Sequence, residues 1–137
     1  MVGIDIVYEG DLHTEARHEP SGARLVTDAP VDNQGRGAAF SPTDLLATAL
    51  GACMTTIMGI AAREHGWSIE GTRVRVEKHM VQAPERRVGR LRVCCTFPAG
   101  LAADALQVLE SAARCCPVCR SLSPEIELDL EFRAGPG

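Results

Sequence analysis

Period-two alternation is cleanest at the end of the chain. In PEIELDLEF, Ile126, Leu128, Leu130 and Phe132 alternate with Glu125, Glu127, Asp129 and Glu131, which predicts a strand with one buried face. VGRLRVCCTFP repeats the pattern, with Leu91, Val93, Cys95 and Phe97 on one side and Arg90, Arg92, Cys94 and Thr96 on the other. In TRVRVE, Val74 and Val76 alternate with Arg73, Arg75 and Glu77, as in a half-exposed antiparallel strand. Residues 2–8, VGIDIVY, predict a strand, and ARLVTD predicts the returning arm of a hairpin. Between them EGDLHTEARHEPSG alternates only loosely and turns at PSG. APVDNQGRGAAF, with its glycines and turn formers, reads as a loop.

The period changes to that of a helix at SPTDLLATALGACMTTIMGIAAREHGW. Ser41 is placed to cap, Pro42 lacks an N–H where none is needed, and Asp44 completes a capping box. The helix is expected to run to about His65, with Gly66 as its stop. Leu46, Leu50, Cys53, Ile57 and Ile60 recur at spacings of three and four and predict one buried stripe. The other side holds Ala47, Ala49, Ala52 and Met58, and Asp44 is the only charge between Ser41 and Arg63. A helix this apolar is expected to be covered on most sides, by a sheet and by a second helix or subunit. AGLAADALQVLESAARCC predicts a second helix with Leu101, Ala105, Leu109, Ala112 and Cys116 as its stripe, and Pro117 at its end or at the start of a new turn. The expected order is strand, strand, helix, strand, strand, helix, strand.

Composition narrows the function more than the fold. At 137 residues the chain is expected to form one domain, 1–137, able to bury a core without crosslinks. A net charge of −4 offers no basic footprint for nucleic acid, and 4% aromatic residues offer no stacking platform for single strands. No stretch reads as a membrane span, and the N-terminus lacks a basic region followed by an apolar run, so a cytoplasmic location is expected. Six cysteines in such a chain are expected to be reduced, reactive or buried rather than stapled in pairs.

Those cysteines are the candidate chemistry. Three fall in SAARCCPVCRSLSP: Cys115, Cys116 and Cys119. Cys53 and Cys116 each sit on the apolar stripe of a predicted helix, where a cysteine is commonly a small buried hydrophobe. If the two stripes face one another, thiols brought within ~4–7 Å between Cα atoms can close a reversible disulfide. CPVC has a C-x-x-C spacing that also permits zinc or a dithiol, but a structural zinc needs two further ligands, and Cys94 and Cys95 point opposite ways in a strand. His13, Glu15, Arg17, His18 and Arg24 in the first hairpin read as a solvated face or as a source of one cation for a cysteine.

FSPTDLLATALGACMTTIM and AARCCPVCRSL resemble the two signature regions of the OsmC-like family, which includes the organic hydroperoxide resistance proteins, and the order of elements agrees over nearly the whole chain. The resemblance implies an α+β fold and an intertwined homodimer. Antiparallel sheets would wrap two long central helices per chain. It also implies a peroxidase for small apolar hydroperoxides. The first cysteine, Cys53 by motif position, attacks the peroxide and becomes a sulfenic acid; the second, Cys116, condenses with it to a disulfide; a dithiol reductant restores both. No cofactor is needed. Peroxidase members carry a glutamate after the helix-opening proline, where this chain has Thr43, and an activating arginine in the N-terminal hairpin, where the register gives His13 with Arg17 nearby. Arg17 is thus the candidate activating cation. The threonine also admits an alternative, a redox-responsive or small-molecule-binding member without peroxidase activity. Cys119 is a thiol for which the family pattern has no use.

Overall fold

The computed structural model describes residues 1–136. The backbone gathers into two compact units, Met1–Leu46 and Ala47–Gly137, with the boundary inside the longest helix. In the first unit β1 (Ile4–Gly10), β2 (His13–His18) and β3 (Arg24–Asp28) form an antiparallel meander. The alternation in the sequence predicts no β2, because HTEARH carries no apolar periodicity; its strand character comes from pairing on both edges, Ile6 to Ala16 on one side and Ala16 to Leu25 on the other. The meander is tied to the loop that follows it. Asp28, 2% exposed, accepts from His13 Nδ1 at 2.8 Å and from the Ala38 N–H at 3.0 Å, and the Asp28 N–H donates to the Phe40 carbonyl.

The 24-residue helix α1 (Pro42–His65) opens as expected. The Ser41 N–H donates to Asp44 Oδ2 at 2.8 Å and the Asp44 N–H donates to Ser41 Oγ at 3.1 Å, a reciprocal capping box. Its far end closes on Gly66, whose φ of +72° suits glycine, with the Trp67 N–H donating to the Ala62 carbonyl and the Gly66 N–H to the Arg63 carbonyl.

In the second unit β4 (Arg73–Val81), β5 (Arg87–Thr96) and β6 (Glu127–Arg133) form a three-stranded sheet in the order β4-β5-β6. The antiparallel expectation holds for β4 with β5, but β6 runs parallel to β5, so this sheet is mixed. The reason is the connection: α2 (Ala103–Arg114) and α3 (Pro117–Ser121) carry the chain back to the starting end of β5, as a parallel partner requires. The strand faces are as the alternation predicts: Leu91, Val93, Cys95 and Phe97 are buried, with Ile126, Leu128, Leu130 and Phe132 packed against them. On the other face Arg90 pairs with Asp129, and Arg92 and Arg133 pair with Glu131.

The buried stripe of α1 is rotated from the expected one. Ala47, Leu50, Gly51, Met54, Met58 and Ala62 are buried, whereas Leu46 and Ile60 are 36% and 50% exposed. Backbone approach, not side-chain size, decides this. A Cβ on Gly51 would sit 2.8 Å from Val76 Cγ2, so the missing side chain lets α1 lie close on β4. By length and composition α1 could also cross a bilayer, against the expectation that no stretch would, yet Leu50, Met54 and Met58 are fully enclosed in the protein core. On α2 the buried positions are Ala105, Leu109 and Ala113, one residue on from the expected Ala112.

Candidate active site

Cys53 lies mid-α1, half-buried beside the fully buried Met54. It packs against the same core cluster that encloses Cys116. Cys116 reaches that cluster by a route that helical periodicity does not predict. α2 stops at Arg114, Cys115 leaves helical geometry at φ −100°, ψ 10°, and Cys116 is extended at φ −66°, ψ 147°. Cys116 is therefore no stripe residue of α2. It is the N-cap of α3, with Pro117 in the first helical turn, and its Sγ accepts the Cys119 N–H at 3.3 Å. The signal was present: Cys116-Pro117 repeats the Ser41-Pro42 arrangement that opens α1.

Cys116 is 0% exposed, and the side chain of Cys53 is near enough to perturb its thiol. Burial pushes the Cys116 thiol above its ordinary range; the Cys119 N–H opposes this, and the neighbouring Cys53 and Cys119 side chains add to the rise. Cys116 therefore holds its proton more firmly than a free thiol does. Cys119, half-buried, packs against the same cluster from the first turn of α3. The remaining thiols stand apart. Cys95 is fully buried in β5 and is pushed up to about 11 by burial and then by Cys94. Cys94 faces the other side of the sheet, in a cavity of about 180 Å³ lined by Arg75, Glu77, Arg92 and Arg133. Cys115 is exposed, turned away from Cys116 by the helix end. All six cysteines are free thiols, and among the described residues no group of three or more side chains converges as a metal site.

The N-terminal candidates belong to the first unit. Arg17 is exposed near the end of β2, opposite Asp5 and Arg24. His13, where the family register expects an arginine, is bound to Asp28. Thr43 exchanges a hydrogen bond with Ser41 Oγ at 3.2 Å, so at that position the N-terminal turn of α1 carries a hydroxyl in place of a carboxylate.

Set beside known proteins, residues 35–131 match the family described as OsmC-like protein. Among solved structures, the chain is 44% identical to one described as a putative osmotic stress induced and detoxification response protein from Psychrobacter arcticus 273-4, with 96% of each chain covered and a TM-score of 0.92. The fold also recurs, at 18% identity and a TM-score of 0.75, in an organic hydroperoxide resistance protein OsmC from Legionella pneumophila, covering 97% of this chain and 96% of that one. It recurs again at 15% identity and a TM-score of 0.78 in an organic hydroperoxide resistance protein from Elizabethkingia anophelis, covering 98% and 96%. No curated protein matches the sequence.

Proposed function

The chain belongs to the OsmC-like family, and on that premise we propose that it is a thiol peroxidase that reduces organic hydroperoxides. The observation that carries this reading is the neighbourhood of two thiols in one core cluster: Cys116 is fully buried there, and Cys53 from α1 packs against it. In this arrangement Cys53, the more accessible of the two, meets the peroxide, and the buried Cys116 waits beside it as the resolving thiol. The Cys53 thiolate attacks the distal peroxide oxygen, the O–O bond breaks, and the alkoxide leaves and takes a proton as the alcohol. Cys53 is then a sulfenic acid. Cys116 attacks that sulfur, the S–O bond breaks, water leaves, and the Cys53–Cys116 disulfide closes. A dithiol reductant returns both thiols and is itself oxidised to a disulfide.

Apolar surroundings suit an alkyl chain better than hydrogen peroxide, which gains nothing from them. Ile57, one turn along α1 from Cys53, supplies such a contact surface. Arg17 is the proposed activating cation, and the working unit is proposed to be a cytoplasmic homodimer. Exposed apolar residues on β1, Ile4, Ile6, Val7 and Tyr8, each above 60% exposed, support the dimer.

One observation favours a second reading, a redox-responsive thiol protein without peroxide turnover: the hydroxyl of Thr43 stands where peroxidase members carry a carboxylate. Turnover of cumene hydroperoxide with dithiothreitol as donor separates the two. The peroxidase reading expects multiple turnovers by the unaltered protein and none by Cys53→Ser; a single stoichiometric oxidation with no turnover leaves the second reading.

A further inference from the structure

Cys116 has two cysteine neighbours, not one. Cys53 from α1 packs on the core cluster that holds it and perturbs its thiol, and its sulfur accepts the N–H of Cys119 at 3.3 Å. CPVC begins α3, so Cys116 is the N-cap and Cys119 stands three residues on, where N-cap side chains and the third helical residue are neighbours. Accessibility is graded across the three. Cys116 is 0% exposed, while Cys53 and Cys119 are half-buried and pack on the core cluster that holds Cys116. A disulfide between Cys53 and Cys116 would therefore have its one wholly buried sulfur against Cys119, whose N–H it already accepts.

We infer that Cys119 is a third exchange residue, which takes over the disulfide from Cys53 and presents it to the reductant. The inference rests on the peroxidase reading for its first step only. The Cys119 thiolate attacks Cys116 Sγ, the Cys53–Cys116 bond breaks, and Cys53 leaves as a thiolate. The proton lost by Cys119 balances the one Cys53 can regain, and no net oxidation occurs. The product is a Cys116–Cys119 disulfide across the C-x-x-C loop. Cys53 is free for the next peroxide before any external dithiol arrives. The exchange is intramolecular and between positioned groups, so it competes well with a diffusing reductant. A dithiol then attacks the half-buried Cys119, forms a mixed disulfide, and closes on itself to release both thiols.

The two disulfides are distinguishable after trypsin. Cleavage after Arg36, Arg63, Arg114 and Arg120 gives peptides 37–63, with Cys53, and 115–120, with the clustered cysteines. In a Cys115→Ser background a Cys53–Cys116 bond crosslinks the two peptides, whereas a Cys116–Cys119 bond leaves 115–120 alone and lighter by two hydrogens. The protein is oxidised with one equivalent of cumene hydroperoxide, or separately with diamide, which oxidises a dithiol without using a peroxide site. The relay predicts that the crosslink appears first and decays into the internal disulfide. It also predicts that Cys119→Ser traps the crosslink and slows its reduction by dithiothreitol about tenfold or more. A crosslink that persists with Cys119 intact, or a Cys119→Ser protein reduced as fast as its parent, overturns the relay while leaving the peroxidase reading in place. A diamide crosslink that decays into the internal disulfide, with Cys53 untouched by hydroperoxide, overturns the peroxidase reading and keeps the exchange; an internal disulfide formed by diamide with no preceding crosslink overturns the relay. Should Cys119→Ser fold poorly, Cys53→Ser in oxidised dithiothreitol tests the same pair of thiols: the relay expects the internal disulfide, and a fully reduced 115–120 peptide contradicts it.

Discussion

Cys53, in the middle of α1, lies beside the fully buried thiol of Cys116, the residue that caps α3. Neither residue owes its place to its own helix alone. Gly51 draws α1 down onto β4, and the break at Cys115 turns Cys116 inward. Removal of either device should disturb the pair without touching a sulfur.

Gly51→Val tests the first. Its Cβ would sit 2.8 Å from Val76 Cγ2 and 3.4 Å from Val74 Cγ1. Overpacking of this kind costs about 1–3 kcal/mol. The urea midpoint is expected to fall with the slope unchanged. A midpoint equal to that of the parent would show that α1 does not need the close approach.

Cys95 gives a pH prediction. Its thiol is pushed up from 9.0 to about 11 because burial disfavours the thiolate. A raised folded value means the associated stability is complete below 9.0 and is lost as pH rises through about 11. Cys95→Val should flatten that alkaline loss, and in the native protein Cys95 should be the last thiol alkylated by iodoacetamide. Modification of Cys95 ahead of exposed Cys115 would contradict the assignment.

Asp28 gives the opposite sign. The hydrogen bond from His13 and then the Ala38 N–H hold its carboxyl below the ordinary 3.8. The stability this confers is present above 3.8 and is lost as pH falls through the depressed value. Asp28→Asn is expected to unfold the N-terminal meander more easily at pH 7, read by faster amide exchange at Ala38, with the gap to the parent closing in acid. A gap independent of pH would mean that shape, not charge, holds this loop.

The homodimer proposal has a direct check in sedimentation velocity at micromolar concentration. A stable dimer is expected, and Ile6→Glu on exposed β1 should weaken it. A monomer at all concentrations would rule the dimer out.

Much of this was legible in the sequence because the signals were local. The Ser41–Asp44 capping box, the Gly66 stop and the strand faces of β5 and β6 follow from short-range pattern and turn chemistry. What the pattern lacked was non-local. HTEARH becomes β2 through its neighbours on both edges, and β6 is parallel because of the crossover before it. The α1 stripe follows a glycine contact that hydrophobicity cannot rank. At the candidate site, the cysteines could be singled out and the family resemblance paired Cys53 with Cys116. The helix break at Cys115 and the double contact of Cys116 needed three dimensions.

The proposed chemistry turns on Cys53 as the attacking thiol and Cys116 as the resolving one. Dimedone labelling of Cys116→Ser after one equivalent of cumene hydroperoxide, followed by peptide mass spectrometry, tests both roles at once. With the resolving thiol gone, a sulfenic acid is expected to be trapped as a dimedone adduct on Cys53, in peptide 37–63. A correctly folded variant whose Cys53 remains an unmodified thiol, with the peroxide unconsumed, would contradict it.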